Sequence, residues 1–355
     1  GIFSMLKVID SMLKLDLNID EIDKLTGPVI GRPKSATFRT SDVVGLDTLV
    51  KVSNNLYAGL PKDEGREMFN LPDVVNTLME KNWLGDKTKQ GFYKKTKDAK
   101  GKTEILTLDL KTLEYKPKER VKFGTLEATK PIENLKERFK RLLGGKDKAG
   151  EFYRDSFYGV FQYVSNRIPE IADELYKIDD ALCAGFGWEV GPFETWDQVN
   201  LKKTVAKMEE AGYKPNQWVY DMLESGAESF YKVEEGKRMY YDVPTKSYKH
   251  IPGLDEYIIL DNIRKNNVVW SNSGSSIFDL GDGILNVEFH SKMNSLGGEV
   301  LEGLNKAIVM AEDNYRGLVI GNQGAQFSAG ANLGILFMYA IEQEYDEIDF
   351  MIRHF

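Results

Sequence analysis

Apolar residues recur at helical spacing from the start of this chain. The opening run "GIFSMLKVIDSMLKL" sets them around Lys7, Asp10 and Lys14 and predicts a helix. Leu175, Ile178 and Leu182 predict another in "ELYKIDDALCAG", and Val300, Leu301, Leu304 and Ile308 share one face of a third. The run Glu133 to Glu151 mixes Lys and Arg with Glu and reads as one solvated amphipathic helix. "LTLDLKTLEYKP", "YYDVPTKSYKHIP" and "NVVWSNSGSSIFDLGDGILNVEF" each read as strand, turn, strand. Leu318 to Ile320 reads as a buried strand running into a glycine-rich loop. Glu342, Glu344 and Glu347 fall on one solvated helix and read as surface charge rather than an acid/base pair.

The pattern repeats. Ile22 to Leu46 parallels Ile178 to Leu201: Ile22-Asp23 matches Ile178-Asp179, and Phe38 and Asp42 match Phe193 and Asp197. In both, a helix gives way to a glycine-rich turn, a Phe, an Asp and a new helix. The basic run Glu133 to Glu151 then joins the two copies. Gly185, Gly187 and Gly191 resemble a dinucleotide-binding fingerprint, but that fingerprint needs a strand before its glycines and here a helical pattern precedes them. They read as a helix stop, with Pro192 following. Asn166 reads as a helix end, with Pro169 in the first turn of the next helix.

The chain has 355 residues, a net charge of -8 and one cysteine. The acidity argues against nucleic acid or an anionic membrane surface as partner. No stretch is apolar for long enough to span a membrane. Cys183 sits in an apolar run and reads as core, and a lone cysteine fits a reducing, cytoplasmic setting. His250, His290 and His354 have no motif around them and read as surface or turn residues. Both ends fall inside helical patterns, which suggests a piece of a longer polypeptide.

"GPFETWDQVNL", "ATFRTSDVVGLD" and "LGDKTKQGFYKK" resemble, in order and in duplicate, the substrate-side C-terminal domain of 3-hydroxyacyl-CoA dehydrogenases. The resemblance covers roughly residues 1 to 260. Tandem copies are the arrangement of multifunctional β-oxidation proteins. The family's homodimer contact would then be made within one chain, as a pseudo-dimer, with a homodimer as a further option. The family's catalytic His and its NAD site belong to a domain not represented here. NAD is thus expected in the full-length protein and none bound by this chain. The family's Asn-Arg pair is not matched, because Asn166 lies too close to Asp179.

Residues from about 265 resemble the enoyl-CoA hydratase (crotonase) family. Asn294-Ser295-Leu296 stands for its N-A-L, and Phe327-Ser328-Ala329-Gly330-Ala331-Asn332-Leu333 for its F-x-A-G-A-D-L, departing at Asn332. The resemblance implies that the Ala331 N–H is one donor of an oxyanion hole. It also implies that Asn294, Ser295, Ala329, Gly330, Ala331 and Asn332 line an acyl-CoA site. The second donor and the catalytic glutamates would lie beyond Phe355. The expected architecture is therefore mainly α: two dehydrogenase C-terminal-like helical domains (1–125 and 126–264), then part of an α/β crotonase-like domain (265–355). The implied function is a fragment of a bifunctional β-oxidation enzyme acting on acyl-CoA thioesters, inactive alone, with a thiolase as possible partner. A non-catalytic scaffold and an acyl-CoA isomerase are the alternatives.

Overall fold

Helix α1 (Ile2–Lys14) buries Leu6, Val8, Ile9 and Met12. Helix α2 (Ile19–Leu25) starts where the Asn18 side chain accepts the Glu21 N–H and Glu21 accepts the Asn18 N–H. This reciprocal cap satisfies donors that a helix start leaves open. A short 3-10 turn, Pro28–Ile30, closes on Gly31 at φ 65°. Helices α3 (Phe38–Val44), α4 (Leu46–Gly59) and α5 (Asp73–Glu80) lead to an antiparallel sheet of β1 (Tyr93–Lys97), β2 (Thr103–Leu108) and β3 (Tyr115–Pro117). Tyr93 stands opposite Thr107, and Leu108 opposite Tyr115.

The computed structural model describes all residues except Ala99, Asp255, Ala325, Phe355 and the side chain of His354. About half of the chain is helical, with small sheets.

Helices α6 (Gly124–Thr129), α7 (Leu135–Leu143) and α8 (Lys148–Asn166) come next, so the expected division at 125/126 falls inside a helix. The run expected as one solvated helix is two. It breaks where Asp147 accepts the Gly150 N–H (3.1 Å) to start α8, and Phe139, Leu142 and Leu143 are buried. Asn166 ends α8 as expected, but Pro169 starts no helix; α9 (Leu175–Phe186) begins later. Between them Ile168 is buried and Arg167 is tied to Asp63 and Glu64, so tertiary contacts override the local pattern. Helix α9 closes on Gly187 at φ 64°, a left-handed conformation that glycine adopts without a Cβ penalty. Pro192 then opens α10 (Pro192–Gln198). Helices α11 (Leu201–Glu210) and α12 (Gln217–Glu224) precede β4 (Tyr231–Glu234), β5 (Lys237–Asp242) and β6 (Ser247–His250), again paired in sequence order. The glycines of "GFGWEVGPF" therefore join two helices. Cys183 is half-buried rather than core.

The chain divides into two compact units, Gly1–Tyr231 with Tyr240–Lys249, and Lys232–Met239 with His250–Phe355. Within the first unit the two repeats meet at equivalent turns. The Glu189 N–H donates to the Gly31 carbonyl (2.8 Å), and the Arg32 guanidinium lies 3.7 Å over the Trp188 ring. Phe3 of α1 stacks on Tyr163 of α8 at 3.7 Å, and the Tyr153 hydroxyl donates to the Leu25 carbonyl (2.9 Å).

In the second unit, α13 (Leu260–Ile263) leads to β7 (Val268–Ser271), β8 (Ser275–Asp279) and β9 (Ile284–Phe289). These are three strands where two were expected, because the "SNSG" turn is tight enough to fold β7 back on β8. Helix α14 (Gly298–Asn314) connects β9 to the parallel strand β10 (Gly317–Ile320), giving the order β10-β9-β8-β7. Its core holds Ile277, Leu285, Val287, Phe289, Val300 and Ala307. Helix α14 thus buries Val300, Gly303 and Ala307, while Ile308, expected on that face, is 46% exposed. Small residues let the helix approach the sheet, and apolar periodicity alone does not mark them. Val319 and Ile320, expected buried, are 45% and 47% exposed, because β10 is the edge of the sheet. Glu342, Glu344 and Glu347 are exposed but share no helix: Glu342 ends α15 (Leu333–Glu342), Glu347 lies in α16 (Tyr345–His354), and Glu344 lies between the two.

Candidate functional site

In the second unit residues 294–296 and 327–333 lie side by side. The Leu296 N–H donates to the Gly330 carbonyl (2.8 Å), and the Asn332 N–H donates to the Leu296 carbonyl (3.3 Å). In such a parallel bridge the opposite residue turns its own N–H and C=O the other way. The exposed Ala331 therefore presents its N–H away from Leu296. Side chains lock the pairing: Asn294 Nδ2 donates to the Gln326 carbonyl (3.0 Å), and Ser328 Oγ donates to the Asn294 carbonyl (2.7 Å). The Ala329 N–H reaches the Met293 carbonyl (3.2 Å), and Ser295 contributes its carbonyl to Ser291 Oγ (2.7 Å). Gly330 sits at φ 83°, which any side chain would strain. Its N–H donates to Ser328 Oγ (2.9 Å), so Ser328 joins both segments, a role its small polar side chain did not announce. Asn332 caps α15 by accepting the Gly334 N–H (3.1 Å), which gives the departure from Asp a local reason: Asn and Asp cap equally well.

The first unit carries a duplicated set of buried carboxylates. Asp23 accepts the N–H groups of Thr37, Phe38 and Arg39 and the Tyr93 hydroxyl (2.7 Å). Its counterpart Asp179 accepts those of Phe193 and Glu194 and the Tyr231 hydroxyl (2.9 Å). Asp42 accepts the Phe92 and Tyr93 N–H groups, and Asp197 those of Phe230 and Tyr231. Burial pushes Asp42 up to about 6, Asp179 to about 7 and Asp197 to about 8, against the pull of the donated hydrogen bonds. Such perturbation can mark an active site. Here the carboxylate oxygens accept from backbone N–H groups, and in Asp23 and Asp179 also from Tyr hydroxyls, so these groups fasten helix starts and strand starts together.

A third cluster joins the repeats. Asp155 of α8 accepts from Lys7 (2.8 Å), Ser11 (2.7 Å), Tyr213 (2.8 Å) and Lys14. Burial pushes the Asp155 carboxyl up, but Lys14, Lys7 and Ser11 together hold it well below the usual carboxylate range. His250 is exposed at the end of β6, and His290 bonds Ser276 Oγ through Nε2 (3.0 Å) with no carboxylate in the chain of contacts. The His354 side chain lies outside the described residues. No group of His, Cys, Asp and Glu among the described residues could hold a metal ion, and no described helix is long and apolar enough to cross a membrane.

The family model of the 3-hydroxyacyl-CoA dehydrogenase C-terminal domain matches residues 3–95. Over that segment the chain is similar to the 3-hydroxyacyl-CoA dehydrogenase family. The matched segment takes in Asp23, Asp42 and the Tyr93 strand start, the first set of fastened carboxylates. The whole chain is 41% identical over 356 residues to a Bacillus subtilis protein named "Probable 3-hydroxyacyl-CoA dehydrogenase". It is 24% identical over 358 residues to a Rickettsia prowazekii protein named as a fatty acid oxidation complex trifunctional enzyme. The alignments take in 100% and 99% of this chain but only 44% of each relative, so the chain spans less than half their length. A Deinococcus radiodurans "Probable 3-hydroxyacyl-CoA dehydrogenase" is 39% identical over 107 residues, 30% of each chain.

Proposed function

We propose that this chain is the substrate-side part of a fatty-acid β-oxidation enzyme that oxidises 3-hydroxyacyl-CoA with NAD and hydrates trans-2-enoyl-CoA. The tandem helical domains serve the dehydrogenase, and the second unit is the first part of a crotonase-like domain. The observation that carries the hydratase half is the Leu296–Ala331 bridge, which holds two remote segments together and turns the Ala331 N–H outward. Hydration of an enoyl thioester builds negative charge on the thioester oxygen, and a fixed backbone N–H stabilises that charge without reorganising. Asn294, Ser295, Ala329, Gly330 and Asn332 then position this donor rather than react. An acyl-CoA isomerase would use the same donor, so isomerisation is the second reading of this loop. NAD would supply hydride acceptance in the complete enzyme; the glycines at 185–191 join two helices rather than a strand and a helix.

Difference spectroscopy of acetoacetyl-CoA with the chain tests this reading. An N–H at the thioester oxygen favours the enolate and strengthens its absorbance band. Ala331→Pro, which deletes the donor, should abolish the change, and an unchanged band in the variant would overturn the assignment. NADH-dependent reduction of acetoacetyl-CoA by the chain alone should show no turnover.

A further inference from the structure

The first repeat contains a cleft of about 1590 Å3 between α2, the β1–β2 hairpin and residues 118–130. Ten Lys and Arg side chains and five carboxylates line it, in a chain whose net charge is -8. The carboxylates are engaged. Asp23 accepts backbone donors, and Asp20 accepts the Thr107 hydroxyl (2.9 Å) and the Glu119 N–H (2.8 Å). Asp86 pairs with Arg39, Glu127 with Lys130, and Glu119 accepts from Asn18 (3.1 Å). Arg138 is engaged too, donating to the carbonyls of Pro28 (3.2 Å), Val29 (3.2 Å) and Ile132 (3.0 Å), which fixes one wall. By contrast Lys24, Lys89, Lys95, Lys118, Arg120 and Lys122 are exposed and form no ion pair among the described residues.

This concentration of charge is not a property of the fold. At the matching places of the second repeat Lys24 is replaced by Asp180 and Arg39 by Glu194. A chain with net negative charge repels a multivalent anion everywhere except where its local potential is positive, and a concave basic surface focuses that potential. The cleft exceeds the roughly 300–1,000 Å3 of an ordinary small-molecule pocket, which suits an elongated ligand rather than a single ion. Ammonium groups serve phosphate as point charges, and the Arg120 fork can bind it bidentately.

We propose that this cleft binds a polyphosphorylated ligand. Under the function proposed above the ligand is the phosphorylated nucleotide end of the CoA thioester, and that identification rests on that reading. Titration calorimetry with CoA and with inorganic tripolyphosphate, on the whole chain and on Lys118→Glu/Arg120→Glu/Lys122→Glu, tests it. The three residues are exposed and outside helix and strand, and circular dichroism checks that the variant folds. We expect CoA affinity to fall at least 10-fold in the variant, with a shallower dependence on salt. Lys95→Glu on β1 should weaken binding independently, while Lys202→Glu on the second repeat should not. Unchanged CoA affinity in the triple variant would overturn the cleft and leave the proposed function standing. Tripolyphosphate bound as tightly as CoA, and lost in the same variant, would keep the cleft and remove the CoA identification. No binding of either probe to the unaltered chain would overturn the cleft.

Discussion

The two repeats follow one chain path but spend their polar residues differently. In both, an Asp at the end of a helical turn fastens the next helix start, and a second Asp fastens the first strand. Around those fasteners the second repeat builds an aromatic core: Phe161 lies on Trp196 at 4.8 Å, and Phe193, Trp218 and Phe230 close around it. The first repeat sets Phe38 against Phe92 (4.7 Å) there and carries a basic cleft outside. The internal fasteners have stayed the same because a buried backbone donor needs an acceptor whatever the surface does. The surface is under no such constraint, so its charge has diverged in sign.

The largest effect should come from the place where the repeats depend on each other. Asp155→Ala leaves Lys7, whose side chain is 5% exposed, with the half-exposed Asp10 as its remaining carboxylate partner among the described residues. Removing one member of a buried pair strands the other charge, and we expect a loss of about 3 kcal/mol in urea denaturation. A loss below about 1 kcal/mol would mean that the Lys7–Asp155 pair adds little to what holds the repeats together. The pH dependence has a definite sign. The folded carboxyl of Asp155 titrates below its unfolded value, so its stabilisation is present above about pH 4 and disappears as pH falls through the folded pKa. Stability of the unaltered chain should therefore drop more steeply on acidification below pH 4 than that of Asp155→Ala, and parallel curves would contradict the pairing.

The next effect tests whether the fasteners are equivalent. Asp42→Ala and Asp197→Ala each strand two backbone N–H groups, and each unsatisfied donor costs about 1–3 kcal/mol. We expect each variant to lose about 2–3 kcal/mol. A difference above about 1 kcal/mol between them would show that the aromatic surroundings of Asp197, and not the hydrogen bonds, set the cost.

These fasteners were legible in the sequence as a spacing. Ile22-Asp23 with Phe38 and Asp42 repeats as Ile178-Asp179 with Phe193 and Asp197; the Asp23–Phe38 and Asp179–Phe193 bonds join residues 15 and 14 positions apart, whereas the Asp42–Phe92 and Asp197–Phe230 bonds span 50 and 33. The helix stop at Gly187 was legible as a glycine at the end of a helical pattern. The Lys7–Asp155 pair was not, since its partners are 148 positions apart and no periodicity links them. Nor was the exposure of Val319 and Ile320, which depends on which strand ends the sheet and not on the strand itself. In the candidate site the two motifs were visible, but their pairing at Leu296 and Ala331 and the bridging role of Ser328 emerge only when the loops meet. The basic cleft was invisible because its cations come from segments spread over a hundred residues of chain.

The smallest effect separates surface charge from fold. Lys24→Asp gives the first repeat the residue type that the second carries at Asp180. Lys24 is exposed in the last turn of α2, where a cation complements the partial negative charge of the helix end and an anion opposes it. Each contribution is worth about 0.3–1 kcal/mol, so we expect the swap to cost about 1 kcal/mol in urea denaturation. The aromatic and fastened interior should not respond, so the near-ultraviolet circular dichroism should be unchanged. CoA affinity should fall, but less than in the triple variant, because a single unpaired cation is reversed rather than three. A swap that cost as much stability as Asp42→Ala would show that the sign of the surface is part of what holds the first repeat together, and the division between conserved interior and divergent surface would fail.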